Sequence, residues 1–205
     1  MKIMVAGSSG LIGTALMGRL LHDGHEILRL VRRAPTSGDL VRWDPAAGDI
    51  DADAMGSIDA VVHLGGVSIA GRRWSAAYKQ EIRDSRVNST RLLTETLARM
   101  TPKPDVFLCA SALGYYGDRA DEILTEDSSK GRGFIADSTS EWEAACAPAS
   151  DAGIRVCNLR IGVVLSKQGE MPRKALLPFK LGLGGNLGNG RQYMSWVHID
   201  DVVEA

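Results

Sequence analysis

A glycine-rich turn near the N-terminus constrains the fold of this chain more than any other feature. The segment 7–13, GSSGLIG, follows the short apolar run Ile3 to Ala6 and opens a stretch with apolar residues at helical spacing, Leu11 to His22. A buried strand, a tight turn and a helix in this order predict the first unit of a doubly wound, parallel α/β sheet.

The three glycines of this turn have separate expected tasks. Gly7 allows the tight turn, Gly10 lets the backbone approach a pyrophosphate without a Cβ in the way, and Gly13 allows close helix–strand packing. The helix start offers free N–H groups and the positive end of its dipole to phosphates. The pattern predicts a dinucleotide site, with a ligand-free tight turn as the alternative; its predicted contacts also include Ser9, Leu11 and Ile12.

Strands and helices alternate along the rest of the chain. Apolar runs predict strands at Glu26 to Val31, Leu40 to Trp43, Ile58 to Leu64, Val106 to Ala110 and Ile154 to Leu159. Helices are predicted at Ser75 to Ser85, Val87 to Arg99 and Ser138 to Ala152, and Pro148 interrupts the last turns of the third. This alternation predicts a Rossmann NAD(P)-binding fold, in which ligands bind at the carboxyl ends of the strands.

Two long loops, Ser111 to Asp137 and Ile161 to Ser195, follow the last two predicted strands, and loops at this edge usually bind substrate. We expect a dinucleotide-binding domain over residues 1–160 and the start of a smaller substrate-side region over 161–205. The segment 199–205 reads as a helix that has barely begun, so the C-terminal region is expected to be truncated here.

Composition narrows the classes of partner. With 24 basic and 25 acidic residues the formal net charge is −1, which argues against a nucleic-acid-binding surface. No apolar run approaches the roughly 18 residues of a membrane helix. The three cysteines, Cys109, Cys146 and Cys157, form neither a disulfide framework nor a metal-binding pair. We expect a cytoplasmic protein without a metal, although an organelle matrix stays open.

The end of the second strand selects the cofactor. Proteins that bind NAD place Asp or Glu there to hold the ribose hydroxyls. This chain has Arg32 and Arg33, and a guanidinium fork suits a 2′-phosphate. The pair predicts NADP(H), and a solvated basic pair after a strand is the alternative.

Several motifs resemble the extended short-chain dehydrogenase/reductase superfamily: the glycine turn, His63 to Gly66, Ser111 to Gly117 and Trp196 to Asp201. Others are similar to one atypical branch of its NAD-dependent epimerase/dehydratase family, the nucleoside-diphosphate-sugar epimerase branch: Arg73-Trp74, Ser85-Arg86, Trp142-Glu143 and Pro178 to Gly185. The resemblance covers nearly the whole chain, and members of the branch normally continue into a further C-terminal region.

The resemblance implies further cofactor contacts from Leu64, Gly65, Glu81 and Arg86. For Arg86 an ion pair with Glu81 or Asp84 on the helix surface is the alternative. Asp44 either accepts from the adenine amine or forms a turn before Pro45. A homodimer is expected by analogy only.

The catalytic residues of the superfamily are not in place. Its redox enzymes use a Tyr-x-x-x-Lys pair with a nearby Ser or Thr. By spacing, the tyrosine position falls on Ile135, which we count among the cofactor-side positions, and the lysine position falls on Thr139. The hydroxyl position falls on Ala112, with Ser111 beside it.

The candidate substitutes are Ser111 and Tyr115. Ser111 would hydrogen-bond the nicotinamide amide or a substrate oxygen, and Tyr115 would point into the cleft. We expect Tyr116 to be a packing residue. Further residues near the substrate loops are Arg160, Arg191 as an anion contact, and His198, which we expect to be structural.

Together these features predict an NADP(H)-binding, epimerase-like oxidoreductase that acts on the alcohol or carbonyl carbon of a small molecule, with a nucleotide-sugar as one candidate. The alternative is a non-catalytic module that senses NADP(H) and reports it to a partner. That alternative keeps the glycine turn and explains the lost tyrosine–lysine pair.

Overall fold

The computed structural model describes residues 1–169, 176–186 and 188–205. The elements of its first half are β1 (Lys2–Ala6), α1 (Leu11–His22), β2 (Glu26–Val31), β3 (Leu40–Asp44), β4 (Asp49–Ile50), β5 (Ala60–His63) and α2 (Ala76–Arg99). They are followed by β6 (Val106–Ala112), α3 (Phe134–Ala144), α4 (Ala147–Asp151), β7 (Arg155–Ile161), β8 (Val163–Leu165), β9 (Trp196–His198) and α5 (Ile199–Glu204). Short 3-10 helices lie at Asp53–Met55 and Leu113–Tyr116.

A seven-stranded sheet forms the centre of the molecule, in the order β4-β3-β2-β1-β5-β6-β7. Every neighbouring pair is parallel except β3 and β4, which are antiparallel. The strand order reverses between β1 and β5, and a crevice at such a reversal is where open α/β sheets bind ligands. The predicted doubly wound Rossmann fold is therefore confirmed.

Both faces of the sheet are covered, as the alternation of side chains along β1 demonstrates. Met4 and Ala6 face the larger core, which contains Leu93 of α2 and Trp142 of α3. The intervening residues of β1 face a second core on the side of α1, together with Leu16, Met17 and Leu20. A strand that is buried on both faces has a continuous run of apolar residues in the sequence. This run made β1 predictable.

The helix after β5 differs from its prediction. Two helices were expected, but α2 is continuous, and its N-cap is Ser75, whose Oγ accepts from the Tyr78 N–H at 3.2 Å. The polar stretch in its middle stays helical because serine hydroxyls bond back to the preceding turn. Ser85 Oγ donates to the Ile82 carbonyl at 3.0 Å, and Ser89 Oγ donates to the Ser85 carbonyl at 2.7 Å.

Three further boundaries differ. The helix expected from Ser138 begins at Phe134, and it is interrupted before α4, as expected near Pro148, which lacks a backbone N–H. Strand β6 continues to Ala112, so Ser111 lies within the strand rather than in the loop. The expected loop after Ile161 contains β8, which pairs in parallel with β9. Three-residue strands give no periodicity from which to predict them.

Candidate functional site

The glycine turn is closed by backbone contacts that leave no room for side chains. Gly7 has a φ of +84°, and a Cβ on it would lie 2.7 Å from the carbonyl carbon of Leu64, just after β5. A Cβ on Gly13 would lie 2.2 Å from the Gly7 carbonyl oxygen. These two glycines are therefore required by packing alone, with or without a ligand.

Gly10 differs from its two neighbours, because a Cβ there would meet only the Gly7 carbonyl oxygen, at 3.4 Å. Gly10 is the N-cap of α1, and no side chain caps this helix end. The N–H groups of the first turn, which includes Leu11 and Ile12, lack partners within the helix and carry its positive dipole end. Packing does not demand this glycine, whereas a phosphate approaching the helix start would.

The turn opens into a cleft of about 910 Å³ at the strand reversal. The cleft is lined by Gly7, Ser8, Ser9, Gly10, Arg29, Leu30, Val31, Arg32, Arg33, Trp43, Asp44, Pro45, Ala46, Leu64, Gly65, Gly66, Val67, Glu81, Asp84, Ser85, Asn88 and Ser89. It has the size and position of a dinucleotide site. It brings together eight of the predicted cofactor contacts: Gly7, Ser9, Gly10, Arg32, Arg33, Leu64, Gly65 and Glu81.

Arg32 and Arg33 stand at one end of this cleft, directly after β2, and both are exposed. Neither makes an ion pair or a side-chain hydrogen bond with the residues that the structure describes. By contrast, Arg29 on the same strand is paired with Asp39 at 2.6 Å. Two guanidinium groups without carboxylate partners at the mouth of a cleft are suited to hold an anionic group of a ligand.

The neighbouring wall comes from the end of β3. Trp43 is buried, with 5% of its surface exposed. Asp44 accepts from the N–H groups of Ala46 and Ala47 at 3.1 and 3.3 Å. The turn-forming role of Asp44 is therefore confirmed, and it orients the carboxylate toward the backbone.

One face of α2 supplies the opposite wall. Glu81 and the cleft-lining residues Ser85, Asn88 and Ser89 follow one another at helical spacing. Of these four residues only Glu81 was predicted to contact the cofactor, although the spacing of four, seven and eight residues from Glu81 would have indicated the rest. Glu81 itself is paired with Arg72, whose Nη1 lies 3.4 Å from Oε2.

Arg86 lies behind the cleft rather than on the helix surface. Its guanidinium donates to the carbonyl oxygens of Ile82 and Val67 at 3.0 and 3.1 Å, and its Cζ lies 5.1 Å from the centroid of the Trp142 ring. The alternative of an ion pair with Glu81 or Asp84 is wrong. Burial lowers the pKa of Arg86. The side chain fixes the loop that carries Gly66, where a Cβ would lie 3.1 Å from Cζ.

His63, the last residue of β5, supports the same loop from below. It is fully buried, its Nε2 lies 3.1 Å from Ser89 Oγ, and its Nδ1 has no partner among the described residues. Burial, together with the charge of Arg86, lowers its pKa to about 4. His63 is therefore neutral at physiological pH, and its ring leaves room only for glycine at position 65.

A second polar cluster lies at the carboxyl ends of β6 and β7. Ser111 Oγ donates to Glu143 Oε1 at 2.5 Å, and Arg160 grips the same carboxylate through Nε and Nη2, both at 2.9 Å. Arg160 Nη1 also donates to the Tyr116 hydroxyl at 2.8 Å. Hydrogen bonds to Glu143 raise the pKa of Arg160. The cluster joins β6, α3 and β7.

Two tyrosines complete this cluster and differ in their hydroxyl groups. Tyr116 is buried with its hydroxyl bonded to Arg160, so the predicted packing role is confirmed. Tyr115 is half-buried, and its ring centroid lies 3.7 Å from Arg160 Cζ. The Tyr115 hydroxyl forms no hydrogen bond with the residues that the structure describes.

The chain is similar in sequence to proteins of a known family. A model of the NAD dependent epimerase/dehydratase family matches residues 3–205. The chain belongs to this family. It is 46% identical over 203 residues to an epimerase family protein of Mycobacterium tuberculosis, covering 99% of this chain and 67% of that protein. It is 36% identical over 205 residues to the human epimerase family protein SDR39U1, covering 98% and 68%.

Two solved structures of the family have the same fold. The nucleoside-diphosphate sugar epimerase of Corynebacterium glutamicum matches with a TM-score of 0.86 and 40% identity, over 100% of this chain and 42% of that one. Human SDR39U1 isoform 2, solved with NADPH, matches with a TM-score of 0.86 and 33% identity, over 99% and 68%. The chain thus spans about two thirds of the length of the mycobacterial and human relatives.

The positions of the missing catalytic pair lie on α3. Ile135 is in its first turn, and its Cγ2 lies 2.2 Å from where a Cβ on Gly114 would be. Thr139, one turn later, is buried. The position of the tyrosine is thus occupied by an apolar side chain in contact with the 3-10 helix after β6, and the position of the lysine by a buried hydroxyl group.

The remaining predicted residues lie apart from the cleft. His198 caps α5, because its Nδ1 accepts from the Asp200 N–H at 3.3 Å, and its structural role is confirmed. Arg191 is exposed, in a turn where its N–H donates to Asn189 Oδ1. In the part of the chain that the structure describes, no helix is long and apolar enough to cross a membrane. The same part holds no group of three or more His, Cys, Asp or Glu that would bind a metal.

Proposed function

We propose that this chain binds NADP(H) in the cleft at the strand reversal and uses it in oxidation and reduction at an alcohol or carbonyl carbon. The observation that carries the proposal is that Gly10, Arg32 and Arg33 line the same cleft. Packing does not explain the glycine, and no carboxylate of the described residues explains the two arginines. Both fit one ligand that has a pyrophosphate and a second phosphate on its ribose.

The residues divide between binding and support. The first turn of α1 would hold the pyrophosphate through backbone N–H groups, and Arg32 and Arg33 would hold the 2′-phosphate. Arg86 and His63 would keep the loop after β5 against the dinucleotide. When bound, the nicotinamide supplies or accepts a hydride. The human relative solved with NADPH supports this choice of cofactor.

The substrate is proposed from relatives and from the position of the cleft. The Corynebacterium relative is described as a nucleoside-diphosphate sugar epimerase, which makes a nucleotide-sugar the first candidate. The experiment measures product formation by the protein from a panel of nucleotide-sugars with NADP⁺ and from simple carbonyl compounds with NADPH. Product from at least one of them is expected, and tight NADPH binding without any turnover would contradict an enzymatic role.

A second candidate is a non-catalytic module that senses NADP(H). The observation in its favour is that Ile135 and Thr139 occupy the positions of the catalytic tyrosine and lysine. This candidate requires NADP⁺ and NADPH to bind with different affinities or to change the protein differently, without chemistry. Calorimetry with both forms, run beside the turnover panel, separates the two candidates.

A further inference from the structure

The side chain of Tyr115 is held from several sides. The Arg160 guanidinium carbon lies 3.7 Å from the centroid of its ring, and the Tyr116 ring meets it edge-on at 5.4 Å. Its carbonyl oxygen accepts from the Gly131 N–H at 2.9 Å. Both the ring and the backbone of Tyr115 are therefore fixed in the folded chain.

The backbone on either side of Tyr115 is also confined. A Cβ on Gly131 would lie 2.0 Å from the Tyr116 carbonyl oxygen, so the returning loop passes directly over this peptide. Gly114, on the other side, is in contact with Ile135 of α3. These contacts on both sides hold the segment around Tyr115 in one conformation, and a reacting side chain must be held in this way.

The Arg160 side chain is itself held by several hydrogen bonds. Its fork is fixed on Glu143, which Ser111 also holds, and its Nη1 donates to the Tyr116 hydroxyl and to the Glu126 carbonyl. A planar guanidinium with these bonds presents one flat face to the Tyr115 ring.

The hydroxyl groups of Tyr115 and Tyr116 differ in their hydrogen bonds. The Tyr116 hydroxyl accepts a hydrogen bond from Arg160, whereas the hydroxyl of the half-buried Tyr115 forms no hydrogen bond with the described residues. A purely structural stack has no need for that hydroxyl, since phenylalanine would cover Arg160 equally well. A fixed ring with a free donor at the carboxyl edge of the sheet is arranged to meet a ligand.

We propose that Tyr115 donates a proton to the oxygen of a carbonyl substrate and that Arg160 is the residue that positions it. The inference rests on the proposed NADP(H)-dependent function. A bound NADPH would supply the hydride that the carbonyl carbon needs, Tyr115 would give its proton to the oxygen, and the products would be the alcohol and NADP⁺. The phenolate then regains a proton from water.

A phenol can donate the proton that reduction of a carbonyl group consumes. Oxidation of an alcohol would need the phenolate as a base, and the lysine that assists it in the superfamily is replaced by Thr139. The step that we assign to Tyr115 is therefore the reduction of a ketone or aldehyde.

The test combines turnover with a direct view of the tyrosine. The chain has four tyrosines, so fluorine NMR of fluorotyrosine-labelled protein gives few signals, and Tyr115→Phe assigns one of them. Tyr115→Phe is expected to reduce the rate of carbonyl reduction by roughly 100-fold or more with an unchanged Kd for NADPH. The matched variant Tyr116→Phe is expected to lose less than about tenfold, because it removes an acceptor of Arg160 and leaves the free hydroxyl.

Arg160→Lys keeps the charge but removes the fork and the flat face. We expect the Tyr115 signal to move toward that of the exposed Tyr193 and the rate of reduction to fall with Tyr115→Phe. An unchanged Tyr115 signal overturns the positioning role, and a Tyr115→Phe rate within about twofold of wild type overturns the proton donor. If the wild-type protein reduces no carbonyl at all, the proposed function fails with the proton donor, while the NMR result still decides the role of Arg160.

Discussion

Arg160 and Glu143 form a two-point ion pair in which Nε and Nη2 each lie 2.9 Å from one carboxylate oxygen. The pair is largely buried, with 19% and 13% of the two side chains exposed. It joins the end of β7 to α3 and leaves neither charge without a partner. Removing one charge from such a pair costs more than the pair contributes, because the other charge remains in a poorly solvated place.

We therefore expect Glu143→Gln to lower the free energy of unfolding by about 2–4 kcal/mol, measured by urea denaturation. Glu141→Gln is the matched control, two residues away on the same helix. Glu141 is paired with Arg83, but its side chain is 45% exposed, so the loss should stay below about 1 kcal/mol. Equal losses for the two variants would show that Glu143 is no more important than a surface carboxylate.

The glycine turn gives a prediction about packing. Gly13→Ala places a Cβ 2.2 Å from the Gly7 carbonyl oxygen and is expected to cost about 3 kcal/mol or more, with loss of NADPH binding. Gly18→Ala on the same helix meets nothing within 4 Å and should be neutral or stabilising by up to about 1 kcal/mol. Urea denaturation of both variants checks the contrast, and a Gly13→Ala chain as stable as wild type would refute the described turn.

A substitution at Gly10 distinguishes the effect on ligand binding from the effect on packing. Gly10→Ala is expected to change stability by less than about 1 kcal/mol, since only one backbone atom lies near, at 3.4 Å. The added methyl group would stand where the pyrophosphate approaches, so the Kd for NADPH should rise at least about tenfold. Calorimetric titration measures the Kd, and an unaltered value would remove Gly10 from the cofactor site.

The buried histidine makes stability depend on pH. The folded chain holds the pKa of His63 at about 4, below the 6.5 of an unperturbed histidine. Between these values the unfolded chain binds a proton that the folded chain does not. Stability is thus complete above about pH 6.5 and falls by up to about 3 kcal/mol as the pH decreases toward 4.

Urea denaturation across this pH range checks the effect of His63. His63→Gln should be less stable than wild type at neutral pH and should lose less stability on acidification. The exposed His22 is the control, and His22→Gln should follow the wild-type curve. If His63→Gln has the full wild-type pH dependence, the acid loss belongs to other groups.

The sequence predicted those parts of the fold that have a local cause. Helix α1 and strand β2 have the predicted ends because Gly10 and Gly24 bound the helix and the apolar run after it is unambiguous. The cleft around the glycine turn was predictable for the same reason, since the turn and Arg32 lie within one βαβ unit.

The polar cluster of Ser111, Glu143 and Arg160 had no such signal. These residues lie on three elements, and the ion pair exists only because β6 and β7 are neighbours and α3 packs over them. The continuity of α2 was missed because Ser85 and Asn88 are poor helix formers in isolation, and tertiary burial of residues such as Val87 and Leu93 outweighs that preference.

The central claim, that the cleft selects NADP(H) through the arginines after β2, is tested most directly by the Kd values of NADPH and NADH for wild-type protein and for the double variant Arg32→Ala, Arg33→Ala. We predict that wild type prefers NADPH and that the variant binds NADPH roughly 30-fold or more weakly, with NADH changed by less than about threefold. A double variant that keeps the wild-type preference for NADPH would contradict the account.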